Sequence, residues 1–244
     1  MPTFARIAAP ENLHDRVTHT LGVRVLEAER AAEQLAFPNE AELCHELGVS
    51  RTILREAVKV LADKGMVEVR PRSGTRARPR PEWKLLDPDI LAWQAELGPD
   101  ARFLRDLCEV RLAIEPIASG FAALRATEEE IEAIERLLPQ RASAGADEEE
   151  AAELDLQFHA AVVEASHNLL LEQLSAAIRQ PFRTALSYTA RLRASSALGL
   201  EAHQTLFEGI RDRDPLRARA AAEEIVGLAM IAVEQVIRSQ ERKP

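Results

Sequence analysis

Between Asn39 and Gly65 the sequence spells two short helices, and the end of the first and the start of the second fall within Glu46-Leu47-Gly48-Val49-Ser50. Asn39 suits the N-cap of a helix carrying Leu43 and Leu47, because its side-chain oxygen can take up a backbone N–H that has no partner in the first turn. Gly48 ends that helix, since glycine enters the left-handed backbone region without steric cost; Ser50 caps a second helix to about Lys64, stopped by Gly65. Two helices so joined make a helix-turn-helix. Leu13, Val17, Leu21 and Val25, spaced by four, predict a preceding amphipathic helix over roughly 11–29, with a break at Phe37-Pro38. After Gly65 the alternation Met66-Val67-Glu68-Val69-Arg70, a turn at Pro71-Arg72-Ser73-Gly74 and the run Thr75-Arg76-Ala77-Arg78 predict a small hairpin. Residues 8–78 thus read as a winged helix-turn-helix.

Residues 79–89 hold three prolines and read as a linker. Beyond them glycine and proline become sparse, and helical periodicity dominates. Helices are expected at about 88–97, from Asp100 to about Leu124 with an interruption at Pro116, and from a capping box at Thr127-Glu128-Glu129-Glu130. Further helices are expected at about 147–167, 169–194, 198–212 and 215–239. Short connections suit an antiparallel bundle, so the fold class is mainly α, with residues 90–240 forming a second, all-helical domain.

With 244 residues and 46% hydrophobic side chains, the chain can bury the cores of two domains. No run of about 18 apolar residues and no apolar signal core occurs, so the expected location is cytoplasmic, with no membrane partner. Cys44 and Cys108 stand apart in apolar-periodic segments, which excludes a disulfide framework and a four-cysteine zinc site. The net charge of −9 argues against nucleic-acid binding until it is divided along the chain. Residues 51–80 carry nine basic and three acidic side chains, whereas residues 86–244 carry 17 basic and 28 acidic ones. A basic strip on an acidic protein implies that one face alone meets phosphates.

In a helix-turn-helix the second helix enters the major groove. Arg51 and Arg55 share one face of that helix, and an arginine fork matches guanine O6 and N7 or a phosphate; Ser50 and Thr52 lie beside them. On the wing, Arg72, Ser73, Gly74 and Arg76 are placed to reach an adjacent groove or the backbone. The plainer alternative is solvated surface arginine, which leaves the ordered sequence of caps, wing and charge unexplained.

These residues carry a resemblance. FPNEAELCHELGVSRTILREAVKVLADKGMVEVRPRSGT is similar to the winged helix of the GntR superfamily. An Asp155-x-x-x-His159 pair followed by a distant His203 on a helical bundle resembles the FCD effector domain of its FadR-type branch. EWKLLDPDILAWQ, LCEVRLAIEPIAS and FHAAVVEASHNLLLEQLSAAI are similar to repressors of galactonate operons within that branch. The resemblance implies DNA contacts by Arg51, Thr52 and Arg55; Ala41 stands where some members have a basic residue, so one contact is lost and the operator differs.

Asp155 and His159 project from the same helix face, as two ligands of one metal must, and His203 can join from another helix. The family's metal-binding members imply a further histidine where this chain has Ile225. Three ligands can still hold zinc, nickel or manganese with positions open for an acid, or the same residues can form a metal-free polar cluster, and the sequence leaves both open. By resemblance Arg111 points into the effector cavity, where its guanidinium would bind a carboxylate, and Asn168 binds hydroxyls or caps a helix. Arg102 and Arg105 read as surface more than pocket, and His14, His19, His45 and His167 lie outside the constellation.

The expected function is a homodimeric repressor of a sugar-acid operon, reading an inverted repeat in double-stranded DNA and released by galactonate or a related aldonate. A metal-dependent regulator sensing a dicarboxylate or hydroxy acid is the alternative. A metal-dependent hydrolase is disfavoured, since no phosphate loop, nucleophile elbow or acid–base pair is present and the basic winged helix would have no role. A helical adaptor without ligand is disfavoured because buried Arg, Asp and His would cost stability for no gain.

Overall fold

The computed structural model describes residues 13–70, 74–98, 100–143, 148–194 and 197–241. The chain divides into two units, the first ending at Gly98.

In the first unit, α1 (Leu13–Arg30) buries Val17, Leu21, Val25 and Leu26, the face that four-residue spacing predicts. α2 (Glu40–Leu47) opens with Asn39, whose side chain accepts from the backbones of Ala41 and Glu42 while Glu42 reaches back to the Asn39 N–H, and ends on Gly48 in the left-handed region. α3 (Arg51–Asp63) is capped by Ser50 and turns Leu54, Ala57 and Leu61 inward. β1 (Val67–Arg70) and β2 (Gly74–Ala77) pair antiparallel, Val67 opposite Ala77 and Arg70 opposite Gly74. The segment before α2 joins this hairpin: Phe37 N–H donates to the Thr75 carbonyl, and Ala77 N–H to that of Leu35.

The stretch expected to be a linker packs instead on this unit. Residues Arg80–Glu82 form a 3-10 turn, α4 (Pro88–Glu96) follows the Asp87 N-cap, and Trp83, Ile90 and Trp93 are buried in the same core as Leu21, Leu54 and Leu61. The Trp93 ring lies so close to Gly22 that a Cβ there would come within 2.3 Å of it. Lys64, at the end of α3, donates to Asp87 and Asp89 at 2.6 and 2.7 Å, and Arg30 closes the far end of α4 on the carbonyls of Gln94, Leu97 and Gly98. Prolines mark an irregular backbone but say nothing about burial; the two tryptophans do, each removing on the order of 200 Å² from water. The boundary expected at 89/90 thus falls after Gly98.

The second unit is helical: α5 (Ala101–Arg125), α6 (Glu128–Ser143), α7 (Glu148–Glu164), α8 (Leu169–Ala194), α9 (Ala197–Arg211) and α10 (Pro215–Glu241). Pro116 does not interrupt α5, which continues to Arg125 with Pro116 itself buried. Its missing N–H removes one backbone hydrogen bond, and burial on α10 and neighbouring helices offsets the loss. One core gathers Ala122, Ile134, Phe158, Phe207, Ile210 and Ile225. Another gathers Leu104, Leu107, Leu156, Phe182 and Ile237. No described helix is long and apolar enough to cross a membrane.

Candidate functional site

Two sets of residues carry chemistry, one in each unit. On α3 the Ser50 hydroxyl accepts from the Ile53 N–H at 3.4 Å, and because Leu54, Ala57 and Leu61 face the core, Arg51, Thr52 and Arg55 face water. Arg55 Nε donates to Glu40 Oε2 at 2.9 Å, and Arg51 Nε stands 3.7 Å from Glu40 Oε1. Glu40, which lies 15 residues before Arg55, carries no local signal of this pairing. Ala41, also exposed, opens α2 beside it. On the wing Gly74 has φ +78°, with open space around a would-be Cβ, and Arg76 is exposed opposite Glu68. Arg72 and Ser73 lie outside the described residues.

In the second unit α5 supplies Arg111 and Glu115, α7 supplies Asp155 and His159, and α9 supplies His203; all five are buried. Ligand atoms of Asp155, His159 and His203 lie within 4.8 Å of one another. His203 Nδ1 lies 2.6 Å from the Gly199 carbonyl, which can only accept, so Nδ1 carries the proton and Nε2 faces Asp155 Oδ1 at 3.3 Å. His159 Nδ1 lies 3.0 Å from Glu115 Oε2, and its Nε2 is 3.6 Å from Asp155 Oδ2, beyond hydrogen-bond reach. That Nε2 is buried and makes no hydrogen bond among the described residues. Two imidazole nitrogens and a carboxylate converging on one space are a donor set that fits zinc, nickel or manganese.

Arg111 grips Glu115 with two prongs, Nε to Oε1 at 2.5 Å and Nη2 to Oε2 at 3.2 Å, and its guanidinium stacks on Phe182 at 3.6 Å. Burial alone would push the Glu115 carboxyl up, but Arg111 and His159 outweigh it and hold the group well below the ordinary glutamate range. The guanidinium expected to face a ligand is thus occupied by an internal carboxylate. Glu115 is not among the residues expected from the sequence, although its position four residues after Arg111 on one helix is a readable pairing signal. Asn168 caps α8, its Oδ1 accepting from Leu170 and Leu171 N–H at 3.1 and 3.3 Å. Ile225 sits in the hydrophobic core. Arg102 is exposed, and Arg105 pairs at the surface with Glu234 at 2.5 Å.

Residues 13–76 match the family described as bacterial regulatory proteins, gntR family, and residues 106–227 match the FCD domain. The chain is 35% identical over 222 residues to the galactonate operon transcriptional repressor of Escherichia coli K12, covering 91% of this chain and 94% of that protein. It is 34% identical over 168 residues to the putative L-lactate dehydrogenase operon regulatory protein of the same organism, covering 68% and 64%. Among solved structures, Lar of Listeria monocytogenes aligns with a TM-score of 0.57 at 17% identity over 93% of this chain and 99% of that one, a likeness of fold.

Proposed function

The chain belongs to the GntR family of bacterial regulatory proteins, with an FCD domain as its second unit, and on that premise we propose that it represses a sugar-acid operon and is released from operator DNA by a small carboxylate such as galactonate. It is a transcriptional regulator related to those of galactonate and lactate operons, and not an enzyme. A homodimer presenting two copies of α3 to an inverted repeat would place Arg51, Thr52 and Arg55 at base edges, with Arg72, Ser73, Gly74 and Arg76 of the wing at the flanking backbone.

The observation that carries the effector reading is the buried convergence of Asp155, His159 and His203. These three would hold one divalent ion, zinc, nickel or manganese, and the ion would supply the positive charge that an effector carboxylate needs inside the bundle. Asp155 and the two imidazoles bind and orient; the apolar residues around them, Phe158 and Phe182, exclude water. Effector binding lowers operator affinity by the ratio of its affinities for the two states of the repressor.

The test is an operator titration with purified protein, chelated and then metal-restored, against galactonate, gluconate and dicarboxylates. The expected outcome is loss of operator affinity with an aldonate, accompanied by thermal stabilisation of about 2.7 kcal/mol at 100 times its Kd. Unchanged operator affinity at saturating aldonate overturns the sugar-acid reading; release by a dicarboxylate alone supports the relation to acid sensing and rejects the aldonate.

A further inference from the structure

We propose that Glu115, fixed by Arg111, is the positioning residue that turns His159 toward a metal ion; the inference rests on the reading that Asp155, His159 and His203 hold a divalent ion. His159 stands between two carboxylates, Glu115 at 3.0 Å from Nδ1 and Asp155 at 3.6 Å from Nε2. A neutral imidazole has one N–H, and the nearer acceptor takes it. That leaves the Nε2 lone pair in the space where the ligand atoms of Asp155 and His203 converge. His203 is turned in the same sense, with its Nδ1 on the fixed carbonyl of Gly199. Both rings therefore present Nε2 inward and Nδ1 outward, one anchored by backbone and the other by a side chain.

The side chain must itself be held, and it is. Arg111 grips both oxygens of Glu115, and Phe182 packs against the Arg111 guanidinium at 3.6 Å and the His159 ring at 5.6 Å. A buried arginine–glutamate pair is a poor source of stability, because removing two charges from water costs about as much as their attraction returns. As a clamp on a metal ligand it has a use, since outer partners of ligating histidines fix ring orientation and tautomer. The Arg111–Glu115–His159 relay spans α5 and α7, so neither helix positions the ligand alone.

The experiment uses the full chain and Ni²⁺ alone, titrated calorimetrically against wild type, Asp155→Ala, Glu115→Gln and the double variant Arg111→Met/Glu115→Met, each first unfolded thermally in chelator to establish that it folds. Wild type binds Ni²⁺ and Asp155→Ala loses it. The double variant, which removes the acceptor without stranding a buried charge, binds 10- to 100-fold more weakly. Glu115→Gln, nearly isosteric, weakens binding less and serves if the double variant does not fold. Nitrogen-15 spectra of the chelated wild type show His159 protonated at Nδ1, and the double variant mixes tautomers, a signature that a merely structural role would not produce. Ni²⁺ affinities of both Glu115 variants equal to wild type overturn the positioning role and leave the metal reading standing. Equal Ni²⁺ binding by wild type and Asp155→Ala overturns the metal reading itself.

Discussion

Arg51 and Arg55 share the half-buried Glu40 as counter-ion in the free protein, and both guanidinium groups face water, so the pairing is worth little and costs little to exchange for DNA. Arg55→Ala is therefore expected to leave thermal unfolding unchanged and to weaken operator binding by about 1–3 kcal/mol per half-site if the fork reads guanine. Gel-shift titration measures this, and specific binding as tight as wild type would remove Arg55 from the interface. Both arginines were legible in the sequence because capping fixes the helix start, and the helix period then fixes which residues face out. Glu40 was not legible, since its meeting with Arg55 depends on the angle between two helices. The reverse holds in the bundle: Glu115 is related to Arg111 by a helix turn and was open to reading, but its reach to His159 on another helix was not.

Among the elements, α6 shows a local signal that survived folding unchanged. Thr127 N–H donates to Glu130 at 2.8 Å, and Glu130 N–H donates to the Thr127 hydroxyl at 3.2 Å, the reciprocal box read from four consecutive residues. Burial works against the charged carboxylate, but the Thr127 N–H, the hydroxyl and His167 outweigh it and lower the Glu130 pKa. A carboxyl whose pKa is lower folded than unfolded contributes stability above the unfolded value, lost as pH falls through the folded one. Glu130→Gln is expected to flatten the acid side of the stability profile below about pH 4.3, measured by urea unfolding from pH 6 to 3, and an unchanged acid slope would refute it. Thr127→Ala is expected to cost about 1 kcal/mol in the same assay. Pro116 behaved oppositely: the local signal predicted an interruption, and packing of α5 on its neighbours overrode it.

For the whole molecule, charge and burial divide the labour. Residues 51–80 are strongly basic although the chain carries a net −9, so operator binding is expected to fall at least about 10³-fold between 50 and 200 mM salt if six or more phosphates are contacted. A flat salt profile would show that the basic strip is not the DNA face. Seven helices were expected from residue 88 onward, and the structure has them in α4 to α10; α4, however, belongs to the first unit. By itself the sequence determined the winged helix-turn-helix, the helical character of the rest and the identity of Asp155, His159 and His203 as candidate ligands. These follow from caps, periodicity and side-chain chemistry, which act over a few residues. Only the tertiary structure decided that Trp83 and Trp93 bind α4 to the winged helix, that Glu115 on α5 reaches His159 on α7 and that Ile225 is core. Each of those depends on which helix faces which, and that is set by the packing of whole apolar surfaces rather than by any short run of sequence.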